Sequence, residues 1–187
     1  MCGIVGYFGN NDAVPLLIKG LKRLEYRGYD SAGLAIMSGD SFMVNKKAGK
    51  VAELESLVSE SGLTGSVGIG HTRWATHGEP SDLNAHPHTD YTGKFALIHN
   101  GIIENYAALK KLLEKKGVEF RTQTDTEVLV QLISTIYHEE DTTFQSAVTS
   151  ALEKIVGTYG IIVMCSDVPN QLIAARLGSP LVLGVGE

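Results

Sequence analysis

Cys2 stands directly behind the initiator methionine, and its side chain is small enough that such a methionine is commonly clipped. The clipped chain carries a thiol and a free α-amine on one residue. The thiolate is the attacking species, and a free cysteine near pKa 8.5 holds only a few per cent of it at neutral pH. An α-amine of pKa about 7.7–8.0 is roughly one-tenth unprotonated at pH 7, whereas a lysine near 10.4 is unprotonated to well under a thousandth. The terminus is therefore the better base, and an amine activating its own side chain is a known form of the nucleophile–base pair. The plainer alternative is an inert strand residue.

Further along, His71-Thr72-Arg73-Trp74-Ala75-Thr76-His77-Gly78 gathers imidazoles, a guanidinium, an indole and hydroxyls at a strand end. An arginine there can grip a carboxylate bidentately, which suits an amino-acid substrate, or it can be a surface residue. His77, His86 and His88 offer imidazoles to a metal, but they lie in a loop without a cysteine at finger spacing, so no metal is expected. Asn100-Gly101 reads first as a type I′ hairpin turn and second as an oxyanion hole, a side-chain amide and a backbone N–H aimed at one oxygen. Asp125 reads as a helix cap or as a carboxylate for a ligand ammonium. The stretch 28–33 misses the G-x-S-x-G elbow by one position, which argues against Ser31 as a nucleophile.

The elements that must position these groups follow from periodicity. Residues 3–8 are apolar and β-branched before Gly9-Asn10-Asn11-Asp12, a strand and a turn. A helix is expected over 13–24, with Val14, Leu17, Ile18, Leu21 and Leu24 on one face, Asp12 capping, and Pro15 in the first turn. Stretches 32–37 and 42–46 form a hairpin around Gly39-Asp40, and 51–59 a second helix ending before Gly62. After a strand at 67–73, residues 74–93 have no period, and a loop of that length in a compact domain is usually functional or disordered. Strand then returns at 95–99. Helices are expected over 105–116, 126–137 (Thr124 and Glu127 spaced as a capping box) and 144–155. A hairpin of 159–165 and 171–177 follows, then a strand at 181–183. Clustered strands and helices favour antiparallel sheet with packed helices over a doubly wound fold, and neither glycine-rich phosphate loop is present.

The 187 residues, 43% hydrophobic and 20% charged, suit one domain with a sizeable core. A net charge of −5 argues against nucleic acid as partner, since phosphate binding is driven by clustered Lys and Arg. The sequence has no long apolar run and no apolar leader, so no membrane is expected. Cys2 and Cys165 do not make a disulfide framework, and Cys165 reads as a buried strand residue. A cytoplasmic setting is expected.

Read together and in order, Cys2-Gly-Ile-Val-Gly6, Leu24-Glu-Tyr-Arg-Gly-Tyr-Asp-Ser-Ala-Gly33, His71-Thr-Arg-Trp-Ala-Thr-His-Gly-Glu-Pro80, Asn84-Ala-His-Pro-His88, His99-Asn-Gly-Ile-Ile-Glu-Asn105 and Thr124-Asp-Thr-Glu127 closely resemble the glutaminase domains of glucosamine-6-phosphate synthases. The resemblance covers essentially the whole chain. The amidophosphoribosyltransferases of purine synthesis, which share the Cys start and an Asn-Gly pair, rank second. A catalytically silent glutamine-binding module is a third possibility.

The resemblance implies an α+β fold of the N-terminal nucleophile hydrolase type, a four-layer αββα sandwich of two antiparallel sheets. It implies hydrolysis of the L-glutamine side-chain amide to glutamate and ammonia, with no cofactor. Carried over by position, Cys2 is the nucleophile, and Asn100 with the Gly101 N–H forms the oxyanion hole. Arg73 binds the glutamine carboxylate and Asp125 its α-amine, while Thr76, His77 and His86 line the site. Trp74 sits on a closing loop, and Arg27 helps order the N-terminus. The synthases continue into a sugar-phosphate isomerase portion, so the resemblance implies a fragment, residues 1–187, of a longer, homo-oligomeric parent.

Overall fold

The computed structural model describes residues 2–74 and 78–186. In chain order the elements are β1 (Gly3–Phe8), α1 (Ala13–Leu24), a short 3₁₀ turn (Glu25–Arg27), β2 (Ser31–Ser38), β3 (Ser41–Ala48), α2 (Val51–Ser61) and β4 (Val67–Arg73). They continue with β5 (His88–Thr89), β6 (Phe95–Ile103), α3 (Tyr106–Lys115), α4 (Asp125–Glu139), α5 (Phe144–Leu152), β7 (Gly157–Cys165) and β8 (Leu172–Leu177). They build two four-stranded sheets, in the orders β1-β4-β2-β3 and β5-β6-β7-β8, and every pairing between these strands is antiparallel.

Strand alternation explains the layering, because successive side chains point to opposite faces. On β2, Ala32, Leu34 and Ile36 pack with Leu17, Leu21 and Leu54 of α1 and α2, while Ala35 and Met37 face the other way. These meet Ile69 of β4 and Ala96, Ile98, Ile162 and Met164 of the second sheet. On β6 and β7, Phe95, Leu97, Ile161 and Val163 turn outward onto Leu113, Leu129, Ile133 and Val148 of α3, α4 and α5. The order is helices, sheet, sheet, helices, the αββα sandwich expected.

Local signals account for most boundaries. Asp12 caps α1 by accepting from Val14 N at 3.1 Å, and Gly62 ends α2 in the left-handed conformation. Four expectations are corrected. Asn100-Gly101 is not a turn: β6 runs through it, with Asn100 opposite Gly160 and Gly101 opposite Tyr159. The chain passes because Gly101 has φ +136°, and a Cβ there would lie 2.0 Å from Thr158 O, so only glycine fits. Asp125 does not cap α4; Thr124 does, accepting from Glu127 N. The box is half formed, since the Glu127 carboxylate accepts instead from Arg121 N and Thr122 N. Residues 181–183 belong to no strand, and Val182 and Leu183 are exposed.

Candidate active site

Cys2 precedes β1, whose pairing with β4 sets Gly3 opposite Thr72, and Gly3 N donates to Thr72 Oγ1 at 3.1 Å. That register brings the thiol to the end of β4. Trp74 N donates to Cys2 Sγ at 3.1 Å, and Sγ lies 3.5 Å from Trp74 O. Burial pushes the Cys2 thiol up, and the Trp74 N–H pulls it down. The thiol therefore rests protonated at neutral pH, and its use as a nucleophile requires a base.

The second sheet supplies the facing group. Asn100, on β6, donates through Nδ2 to the Cys2 carbonyl at 3.2 Å. An NH₂ group carries a second hydrogen, and Gly101 follows directly with its N–H. Asp125, the first residue of α4 and 4% exposed, accepts from Ile103 N through Oδ2 at 2.8 Å, so its carboxylate is fixed to the end of the same strand. Arg73 ends β4 and is 3% exposed. It donates through Nη2 to Gly78 O at 2.8 Å and through Nη1 to Glu79 O at 3.2 Å, with Asp30 Oδ1 at 3.8 Å. It thus anchors the returning end of the loop that starts at Trp74. The Trp74 ring lies on Gly28, where a Cβ would come within 2.3 Å of Cε3; Gly28 has φ +101° and leaves that space open.

Cys2, Arg27, Arg73, Trp74, His86, Asn100, Gly101 and Asp125 all line one cleft of about 1660 Å³. Of the residues singled out from the sequence, Thr76 and His77 lie outside the described ones. His86 is 5% exposed and stacks on His71 at a ring-centroid distance of 4.2 Å, donating to or accepting from Thr126 Oγ1 at 2.8 Å. It lines the cleft from within a packed histidine wall. His88 meets His86 edge-on at 4.6 Å and bonds Thr124 Oγ1 at 3.1 Å. Burial pushes both rings well below the ordinary histidine value, so both are neutral. Among the described residues no group of His, Cys, Asp and Glu is placed to hold a metal ion.

Sequence reasoning missed His71, His99 and Thr126. Thr126 Oγ1 bridges His86 Nε2 at 2.8 Å and His99 Nδ1 at 3.1 Å, which ties the histidine wall to α4. The available signal was strand alternation: His71 shares a face with Ile69 and Arg73, the face turned to the other sheet.

The second sheet's neighbours were legible only with the fold in hand, and the fold has solved counterparts. The glutamine phosphoribosylpyrophosphate amidotransferase of B. subtilis superposes with a TM-score of 0.79 at 28% identity, over 94% of this chain and 37% of that one. An allosteric regulatory enzyme of purine biosynthesis gives 0.81 at 29% identity, with the same coverage of 94% and 37%. Sequence relatives are nearer. The glutamine–fructose-6-phosphate aminotransferase (isomerizing) of Bacteroides thetaiotaomicron is 56% identical over all of this chain and 31% of its own length. That of Chlorobaculum tepidum is 54% identical, again over 100% of this chain and 31% of its own. The chain thus spans about a third of the length of the curated relatives it matches, and the two solved structures are its structural neighbours at lower identity. Residues 57–178 match the family model described as a glutamine amidotransferase domain. The chain belongs to the glutamine amidotransferase domain family.

Proposed function

We propose that this chain hydrolyses the side-chain amide of L-glutamine to glutamate and ammonia through a thioester on Cys2. The observation that supports the reading is the 3.2 Å hydrogen bond from Asn100 Nδ2, on β6, to the backbone carbonyl of Cys2 ahead of β1, which sets the Asn100 amide beside the residue that carries the thiol. With Met1 removed, the α-amine of Cys2 takes the thiol proton as Sγ attacks the amide carbon. The developing oxyanion is met by the second Asn100 N–H and the Gly101 N–H, donors of a kind each worth about 3 kcal/mol in the transition state. Collapse returns the proton from the amine to the leaving nitrogen and releases ammonia. Water then enters, gives its proton to the amine, and cleaves the thioester to glutamate.

Arg73 would hold the α-carboxylate and Asp125 the α-ammonium, which sets the side-chain amide over Cys2. Closure of the loop beginning at Trp74 would keep bulk water out while ammonia leaves, and Arg27 would support the N-terminal end of the cleft. All reacting groups come from the protein, so no cofactor is needed. In the longer relatives, named as aminotransferases acting on fructose 6-phosphate, the ammonia would pass to a sugar-phosphate isomerase portion to make glucosamine 6-phosphate. A cytoplasmic setting suits the chemistry, because the thiol must stay reduced. A glutamine analogue with an electrophile in place of the amide tests the reading. It should add once, to Cys2, with irreversible loss of glutaminase activity and protection by glutamine. Addition elsewhere, or none, refutes it.

A further inference from the structure

An asparagine side chain has nearly the same shape when its oxygen and nitrogen are exchanged, so an oxyanion hole built on one needs something to choose the end that faces the substrate. We propose that His71 is that positioning residue: through its Nε2–H it fixes the Asn100 amide with nitrogen toward Cys2. The inference rests on the function proposed above and concerns a residue that touches neither substrate nor nucleophile.

His71 lies on β4, fully buried. Its Nε2 sits 3.0 Å from the His99 backbone carbonyl and 2.9 Å from Asn100 Oδ1. A backbone carbonyl can only accept, so His71 Nε2 must carry the hydrogen. That hydrogen leaves only an acceptor comfortable at the adjacent position of Asn100, which is Oδ1. Nδ2 is thereby turned to the Cys2 side, where it donates to the Cys2 carbonyl at 3.2 Å. Flipping the amide would set N–H against N–H at His71 and oxygen against oxygen at Cys2, losing bonds at both ends.

The rest of the ring agrees with this tautomer. His71 Nδ1 is buried without a hydrogen-bond partner among the described residues, a tolerable state for a lone pair and a costly one for an N–H. The His86 ring stacked at 4.2 Å holds the imidazole plane, and His86 is anchored by Thr126. Burial pushes His71 down to about 3, so the ring stays neutral.

The test compares two variants of like shape in the full chain: His71→Met has no donor and His71→Gln restores one near Nε2. His71→Met should lower kcat for glutamate release by about 10- to 100-fold, less than the roughly 10²–10³-fold for removing an oxyanion donor outright, with KM within about twofold. His71→Gln should regain most of that loss. In an Asn100→Ala background, His71→Met should cost nothing further, as expected for residues acting as a unit. Alkylation of Cys2 by iodoacetamide, which forms no oxyanion, should proceed at the wild-type rate in both variants. Equal losses in the Met and Gln variants, or an undiminished loss in the Asn100→Ala background, overturn the proposal. A ¹⁵N spectrum of the wild type decides it without turnover. A proton on Nδ1 of His71 contradicts the inference, whereas a proton on Nε2 in a chain releasing no glutamate leaves it standing and refutes the proposed function instead.

Discussion

The two cysteines of this chain make a controlled comparison. Cys165 is the last residue of β7 and is fully buried in the cluster that includes Phe95 and Leu129. Burial pushes its thiol up to about 11. Cys2 lies partly exposed at the mouth of a cleft, with a backbone N–H on its sulfur and an amide from the opposite sheet on its carbonyl. Both thiols are raised by burial and both receive backbone N–H groups, Cys165 from Asp167 and Val168 and Cys2 from Trp74; only Cys2 lines the cleft, together with Asn100 and Gly101. On the proposed function, the difference between the two cysteines lies in their surroundings rather than in the thiol.

That contrast can be broken most severely at Cys2, the proposed nucleophile. Cys2→Ala should abolish glutamate release, a loss on the order of 10⁴-fold or more by analogy with removing a catalytic nucleophile, whereas Cys165→Ala should leave kcat unchanged. Loss of activity in the Cys165 variant alone would invert the assignment. Asn100→Ala should lower kcat by about 10²–10³-fold with little change in KM, as for other oxyanion donors; a change confined to KM would make Asn100 a binding residue. Asp125→Asn keeps an acceptor for Ile103 N but removes the charge. It should cost roughly 10- to 100-fold in kcat/KM for glutamine, the worth of about 1.5–3 kcal/mol for a bond to a charged group, and steady-state kinetics check it.

The histidine wall gives a pH prediction of smaller size. For His71 the native value of about 3 lies below the ordinary 6.5, so the unfolded chain takes up the proton first. Its contribution to stability is complete above pH 6.5 and is lost as pH falls toward 3, at about 1.4 kcal/mol per pH unit. His86 and His88 are displaced the same way and add to the slope. Urea midpoints measured from pH 7 to 4 should fall steeply, and His86→Phe should flatten the curve. The smallest effect is expected at Cys165, where removal of the sulfur should destabilise by about 1 kcal/mol.

Most of the sandwich was legible because its strands are short, largely apolar runs, as in β2, buried from Ser31 to Met37, and its helices carry one apolar stripe, as α1 does at Val14, Leu17, Ile18 and Leu21. The site was less so. Asn100-Gly101 carries the strongest short hairpin signal, yet pairing with β7 along the whole of β6 outweighs it, and the glycine that suggested a turn instead serves a distorted strand. Asp125 was one residue from the cap, and local spacing cannot say whether a first-turn carboxylate faces the helix or a cleft. The link from His71 to Asn100 spans 29 residues and that from Cys2 to Asn100 spans 98; both depend on how one sheet lies on the other, which periodicity does not encode.

The central claim, that Cys2 supplies both nucleophile and base, is tested most directly by assaying glutamate release from L-glutamine with intact mass recorded on the same samples. Three preparations are compared: the chain beginning at Cys2, the chain retaining Met1, and Cys2→Ala. The account predicts glutamate from the first alone, because retained Met1 converts the base into an amide. Equal release by the Met1-bearing chain would contradict the amine as base, and release by Cys2→Ala would contradict the nucleophile itself.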